Sequence, residues 1–117
     1  MDFFILWALF SFAGCTPPVP QSAEQGADHS SFNGKALYAV SCTACHQANG
    51  GGLEGVAPPL AGTKWPNESV ERLTRIVLHG LRGPITVAGQ EYNQEMPAMG
   101  FFDDHEIAAI LSHIQTT

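Results

Sequence analysis

Charge is scarce in this chain. Asp, Glu, Lys and Arg make up 14% of its 117 residues, five of them basic and eleven acidic, for a formal net charge of −6. Five cations that form no patch argue against nucleic-acid binding, which draws its affinity from clustered Lys and Arg. The acidic balance is compatible with a partner that presents a basic docking face, and serves solubility equally well. Cysteine is scarce too: Cys15, Cys42 and Cys45 are the only three. No second cysteine pair and no histidine pair accompanies Cys42 and Cys45, since His29, His79, His105 and His113 are scattered singly. A structural zinc site requires that second pair, so a zinc knuckle is disfavoured. A thioredoxin-like redox pair belongs beside a strand–helix–strand pattern, and the sequence shows no such alternation. Long apolar runs are missing as well. The best, Phe3 to Gly14, is too short to cross a bilayer comfortably.

What is present is concentrated in five residues, Cys42-Thr43-Ala44-Cys45-His46. Cys-x-x-Cys-His is the attachment signature of c-type haem. Two thiols add to the haem vinyl groups as thioethers, and the adjacent histidine offers an axial nitrogen to the iron. Positions i and i+3 of a helical turn share a face, so Cys42 and Cys45 reach one porphyrin edge together. One such motif implies one haem. A small domain often needs a staple to hold its core, and a covalently attached apolar disc is one.

The N-terminal segment reads as a targeting signal over residues 1–15, ending in Phe12-Ala13-Gly14-Cys15. Small residues before a cysteine resemble a bacterial lipobox, in which Cys15 becomes the lipidated first residue of the mature protein. Phe12 stands where an aliphatic residue is usual, and Asp2 replaces the usual positive flank. Both departures weaken the match, yet a lipoprotein signal still ranks above a plain cleaved signal, and both above an uncleaved anchor. Each puts the folded part outside the cytoplasm, in the periplasm or at an outer membrane face. Residues 16–31 contain Pro17, Pro18 and Pro20 followed by Gln, Ser, Ala and Gly, the composition of a semi-rigid tether. At ~3 Å per residue such a segment holds a domain up to ~50 Å from its anchor.

The folded domain is expected over residues 32–117. Asn33 is an N-cap candidate, with Phe32 and Leu37 as a hydrophobic staple, and the helix it opens leads through Gly34, Tyr38 and Val40 to the haem motif. Gly50, Gly51 and Gly52 stop regular structure, and Ala57-Pro58-Pro59-Leu60 is a rigid extended piece. A second helix is predicted from an Asn67 cap, with Val70, Leu73, Ile76 and Val77 as its apolar stripe and Gly80 as its stop. Gly83 and Pro84 break helix in the long connection that follows, where Ile85-Thr86-Val87 favours a short extended piece. The last helix has the clearest start: Asp103 caps, Glu106 completes a capping box, and Phe102 pairs with Ile107. Ile107, Ile110, Leu111 and Ile114 then repeat at helical spacing. The acidic trio Asp103, Asp104 and Glu106 is explained by capping and the helix dipole rather than by a partner.

A second axial ligand decides what such a haem does. A His/Met pair raises the reduction potential, because neutral thioether sulfur favours ferrous iron. Besides Met1 the chain offers Met96 and Met99. Met96 precedes Pro97 in a loop before the final helix, where proline stiffens the approach. Met96 is the preferred ligand, Met99 its nearest rival, and His79 a weaker one that would give a bis-His haem of lower potential.

These features together resemble a class I cytochrome c domain. Asn33 to Gln115 carries the resemblance, through Gly34 and Tyr38, Cys42-Thr43-Ala44-Cys45-His46, Pro58-Pro59-Leu60, Met96-Pro97 and the amphipathic Asp103–Gln115 helix. The resemblance implies an all-α fold, three to four helices wrapped around one haem c. It implies that the first and last helices cross beside the haem, with Gly34 allowing close contact. It also implies that the Pro58 carbonyl accepts a hydrogen bond from His46 Nδ1, and that Leu60 and Trp65 line the pocket. His113 stands where such domains often carry an aromatic residue. The stretch Ile76 to Val87 with Tyr92-Asn93 is similar to small bacterial cytochromes associated with periplasmic dehydrogenases.

The function so implied is one-electron transfer between redox proteins, with a dehydrogenase as donor and an oxidase or another cytochrome as acceptor, and no catalytic residue. Two rivals keep the same motif. A fixed relay subunit of a dehydrogenase or terminal oxidase suits the short chain and tether equally. A labile Met96 would open the iron to peroxide or small gases.

Overall fold

In the computed structural model the described residues are residue 14 and residues 33–117. The leader, Cys15, the 16–31 tether and the Phe32 staple lie outside them. Helix α1 (Gly34–Ser41) begins at the expected cap, Asn33 Oδ1 accepting the Ala36 amide at 3.1 Å. Helix α2 (Thr43–His46) follows after a single offset residue, Cys42, whose N–H bonds the Tyr38 carbonyl at 2.8 Å. Gln47 then turns to φ 65° and ends the helical path.

Helix α3 (Trp65–Glu68) is one turn with Pro66 in its start, and helix α4 is Val70–His79. The sequence assigns the cap of the second long helix to Asn67; the structure corrects this to Ser69, whose Oγ accepts the Arg72 amide at 3.1 Å. Proline at the first turn nucleates a separate turn that contains Asn67, and the extended Ser69 (φ −155°, ψ 107°) divides it from α4. The apolar stripe is narrower than expected, since Val70 is 57% exposed and the buried positions are Leu73 and Val77. Gly80 stops α4 as anticipated.

Helix α5 (Asp104–Gln115) has the full capping box, Asp103 accepting from Glu106 N–H and Glu106 accepting from Asp103 N–H. Ile107, Ile110, Leu111 and Ile114 are all buried, and with Tyr38, Leu73 and Val77 they form one cluster joining α1, α4 and α5. A helix of two turns has no stability of its own, so α1 depends on its crossing with α5. The crossing is close: a methyl group on Gly34 would collide with the Ala109 carbonyl. His113 fills the place expected of an aromatic residue there, its ring edge-on to Tyr38 at 5.1 Å between centroids.

The connection between α4 and α5 is more regular than the sequence suggested. Strand β1 (Ile85–Val87) is the extended piece expected, and it pairs antiparallel with β2 (Gln90–Tyr92), Ile85 opposite Tyr92 and Val87 opposite Gln90. Ala88 and Gly89 both have positive φ, 50° and 79°, as a two-residue hairpin turn with right-handed strand twist requires. The pleat divides the hairpin into an exposed Thr86/Glu91 face and an inner face where Val87 and Tyr92 are buried. Neither of these two belongs to the helix cluster.

Candidate haem site

The site has two halves. The first is built by residues 42–60. His46 ends α2 and is 9% exposed. Its Nδ1 lies 3.0 Å from the Pro58 carbonyl. A carbonyl only accepts, so Nδ1 carries the proton and the lone pair is on Nε2. Burial holds the His46 pKa below the usual imidazole range, partly offset by the Pro58 bond. The neutral form, the one that ligates metal, is therefore favoured. Among the described residues no buried side-chain nitrogen lacks a partner, and Nε2 has none, so Nε2 opens onto accessible space.

Pro58 is held in place by the loop it closes. Gly52 N–H bonds the His46 carbonyl at 2.9 Å, Leu53 and Ala57 bond each other through both backbone groups, and Leu60 and Ala61 both donate to the Gly50 carbonyl. The Tyr38 hydroxyl donates to the Gln47 carbonyl at 2.8 Å and ties the start of this loop back to α1. Both thiols are free. Cys42 is half-buried, its pKa raised by burial first and by the neighbouring Cys45 second, while Cys45 is exposed. Among the described residues no three His, Cys, Asp or Glu side chains converge, so none of them joins Cys42 and Cys45 as a co-ligand of a tetrahedral zinc site.

The second half is built by residues 81–99. Met96 exchanges both backbone hydrogen bonds with Leu81, each 3.0 Å, which closes the segment holding the hairpin into a loop. Gly80, at φ 77°, lies against the Met96 and Pro97 backbone where a side chain would collide. Met99 N–H bonds the Val77 carbonyl at 2.8 Å. Both methionines are half-buried on the helix cluster. Trp65 donates its indole N–H to the Thr86 carbonyl at 3.1 Å, and the Arg72 guanidinium stacks 4.2 Å over its ring. His79 is exposed and borders a surface groove with Arg72 and Arg75.

Cys42, Leu60, Met96 and Met99 all pack against the helix cluster. No hydrogen bond among the described residues joins Met96 or Trp65 to the His46 loop. The donor set suits a haem: two unpaired thiols on one turn, a neutral oriented imidazole beside them, and two thioethers packed against the same helix cluster as Cys42. Strand β2, and the burial of Tyr92 on it, were not anticipated from sequence. Ala88-Gly89 between two short extended pieces was the available signal.

Residues 31–117 match the family model for cytochrome c. A cytochrome c-552 from Thermus thermophilus is 42% identical over 88 residues, covering 72% of this chain and 66% of that protein. A second cytochrome c-552, from a named strain of the same species, is 42% identical over 88 residues, with 59% of its length covered. The chain thus spans less than two thirds of these relatives.

Proposed function

The chain belongs to the cytochrome c family, and on that premise we propose that it is a single-haem electron carrier, passing one electron between redox proteins outside the cytoplasm, with His46 and Met96 as axial ligands. Family membership brings a covalently bound haem c, and Cys42 and Cys45 are the attachment residues. The haem, when bound, supplies one-electron Fe(II)/Fe(III) cycling.

The observation that carries the reading is the His46–Pro58 pair. The carbonyl fixes the ring's tautomer and orientation, and raises the donor strength of Nε2. A ring so held keeps its geometry through a change of charge at the iron, which keeps the reorganisation of the protein small. Met96 is preferred over Met99 because it precedes Pro97 and both of its backbone bonds go to the distant Leu81, whereas Met99 bonds Val77 and, locally, Phe102. With His46 and Met96 both holding the iron, no open position would be left for substrate. This favours a carrier over a gas- or peroxide-binding protein.

The reading extends to a lipid anchor at Cys15 and a tether over residues 16–31, which lie outside the described residues. A membrane-held carrier between a dehydrogenase and an oxidase or second cytochrome fits that arrangement.

The absorption spectrum of the purified holoprotein tests the ligands. A low-spin ferric spectrum with a weak long-wavelength sulfur-to-iron band is expected, lost in Met96→Ala and kept in Met99→Ala. The reverse pattern would transfer the role to Met99, and a high-spin ferric spectrum would sink the carrier reading.

A further inference from the structure

Asn33 and Asn49 are each followed by glycine, whereas Asn67 and Asn93 precede Glu68 and Gln94. A backbone nitrogen can attack the side-chain amide carbon of the asparagine before it, and glycine has no side chain to obstruct the approach. Asparagine counts among the thermolabile residues. The fold separates the two sites. Asn33 caps α1 through its bond to the Ala36 amide, and Gly34 sits so close to the Ala109 carbonyl that a methyl group would collide. The Asn33–Gly34 backbone cannot turn for attack without parting α1 from α5. Asn49 is exposed, in the loop between α2 and α3. We propose that Asn49 is a site of spontaneous covalent modification, in which the Gly50 nitrogen closes on the Asn49 amide carbon and the product loosens the loop that orients His46. The proposal does not depend on which methionine holds the iron.

Three observations carry it. Asn49 Oδ1 accepts the Gly51 N–H at 2.9 Å, an Asx turn whose hydrogen-bonded ring contains both the amide carbon and the Gly50 nitrogen. The bond also draws electron density from the amide, which makes its carbon a better target. Second, the carboxamide is folded forward along the chain: a Cβ on Gly51 would stand 3.0 Å from Oδ1 and 3.5 Å from Cγ. Third, the turn that restrains the nucleophile is poised to open. The Gly50 N–H bonds the Gln47 carbonyl at 3.1 Å, but that carbonyl keeps the Tyr38 hydroxyl as a partner when Gly50 leaves. Gln47 itself stands at φ 65° and ψ 160°, backbone that a residue with a side chain holds only under strain. In the reaction the Gly50 nitrogen gives up its proton and bonds to Cγ, the Cγ–Nδ2 bond breaks, and ammonia leaves. Solvent water then opens the five-membered imide at either carbonyl, giving aspartate or isoaspartate at position 49. Isoaspartate adds a main-chain carbon just before Gly50, whose carbonyl accepts from both Leu60 and Ala61. Those two bonds anchor the segment that carries the Pro58 carbonyl to His46.

The test ages the holoprotein in warm, mildly alkaline buffer, under conditions that convert a synthetic peptide of residues 47–52. Peptide mapping by mass spectrometry reads each asparagine, and an isoaspartate-specific methyltransferase counts the isomerised product. Asn49 should convert while Asn33 stays intact. Asn49→Ser keeps a hydroxyl acceptor for the Gly51 N–H but has no amide carbon, and should abolish the methyltransferase signal. An intact Asn49, or conversion at Asn33 ahead of it, would overturn the site. If Asn49→Ser fails to fold, the wild-type map decides, because both asparagines are read in one sample. The modified fraction, separated by its added negative charge, tests the consequence. Amide exchange at Leu60 and Ala61 should be faster than in unmodified protein, with Leu81 and Met96 unchanged. Unaltered exchange at Leu60 and Ala61 would overturn the link to the His46 loop.

Discussion

The two halves of the site are built by opposite means. The His46 half is local: nearly every bond that positions the ring joins residues within about a dozen positions of one another, Cys42 to His46, His46 to Gly52 and Pro58, Gly50 to Leu60. The Met96 half is assembled from afar, with Leu81 bonded to Met96, Val77 to Met99 and Trp65 to Thr86. Local geometry needs only the right residues in order, whereas the distant half needs α4 and the hairpin folded first. The attachment half should therefore be the more persistent when the domain is weakened, and the Met96 half the first to open.

The largest perturbation should remove this distinction by weakening both halves at once. Ile110 is 1% exposed at the centre of the cluster on which Cys42, Leu60, Met96 and Met99 all pack. Ile110→Ala leaves a cavity there and should cost about 2–5 kcal/mol of stability, read as a fall in the denaturation midpoint of the holoprotein. A midpoint unchanged from wild type would mean that the haem alone, and not the helix cluster, holds the two halves together.

A smaller change should sharpen the comparison. Trp65→Phe removes the indole N–H that ties α3 to the hairpin and leaves the Thr86 carbonyl without that partner. The cost is about 1 kcal/mol, and it should fall on one half. Amide hydrogen exchange at Val87 and Gln90 should accelerate, while Gly52, Leu53 and Ala57 in the His46 loop keep their protection. Equal acceleration in both places would show that the halves open as one unit and that the comparison is misdrawn.

The same division explains what was legible in the sequence. The His46 half was readable because its information is contiguous: Cys-x-x-Cys-His, the three glycines and Pro58-Pro59 lie in order, and the His46–Pro58 bond has the implied geometry. The capping box of α5 and its buried face were equally readable, since caps and periodicity are short-range. The Asn67 cap was misplaced because Asn67 and Ser69 are both good caps, and the choice turned on Pro66 forming its own turn. Strand β2 was missed because Gln90-Glu91-Tyr92 has only one apolar residue, and its strand character comes from pairing with β1. His113 was flagged as a departure, yet an imidazole presents a flat ring edge as well as a phenyl does. No local pattern says that Met96 bonds Leu81.

The smallest expected effect tests whether surface charge matters to either half. Arg75 and Glu71 pair at 2.8 Å, but their side chains are 73% and 74% exposed. Water screens such a pair, and holding two long side chains together costs entropy, so exposed pairs of this kind contribute about 0–1 kcal/mol. Arg75→Ala should leave the denaturation midpoint nearly unchanged and should not alter exchange rates at Val87 or Leu53. The pair spans one turn of α4, whose C-terminal end carries the Val77 bond to Met99. Helix fraying that began at Arg75 would therefore show first as faster exchange at the Met99 amide, which bonds Val77. Slow exchange at Met99 in this variant would confirm that α4 is held by Leu73 and Val77 in the cluster rather than by its charged outer face.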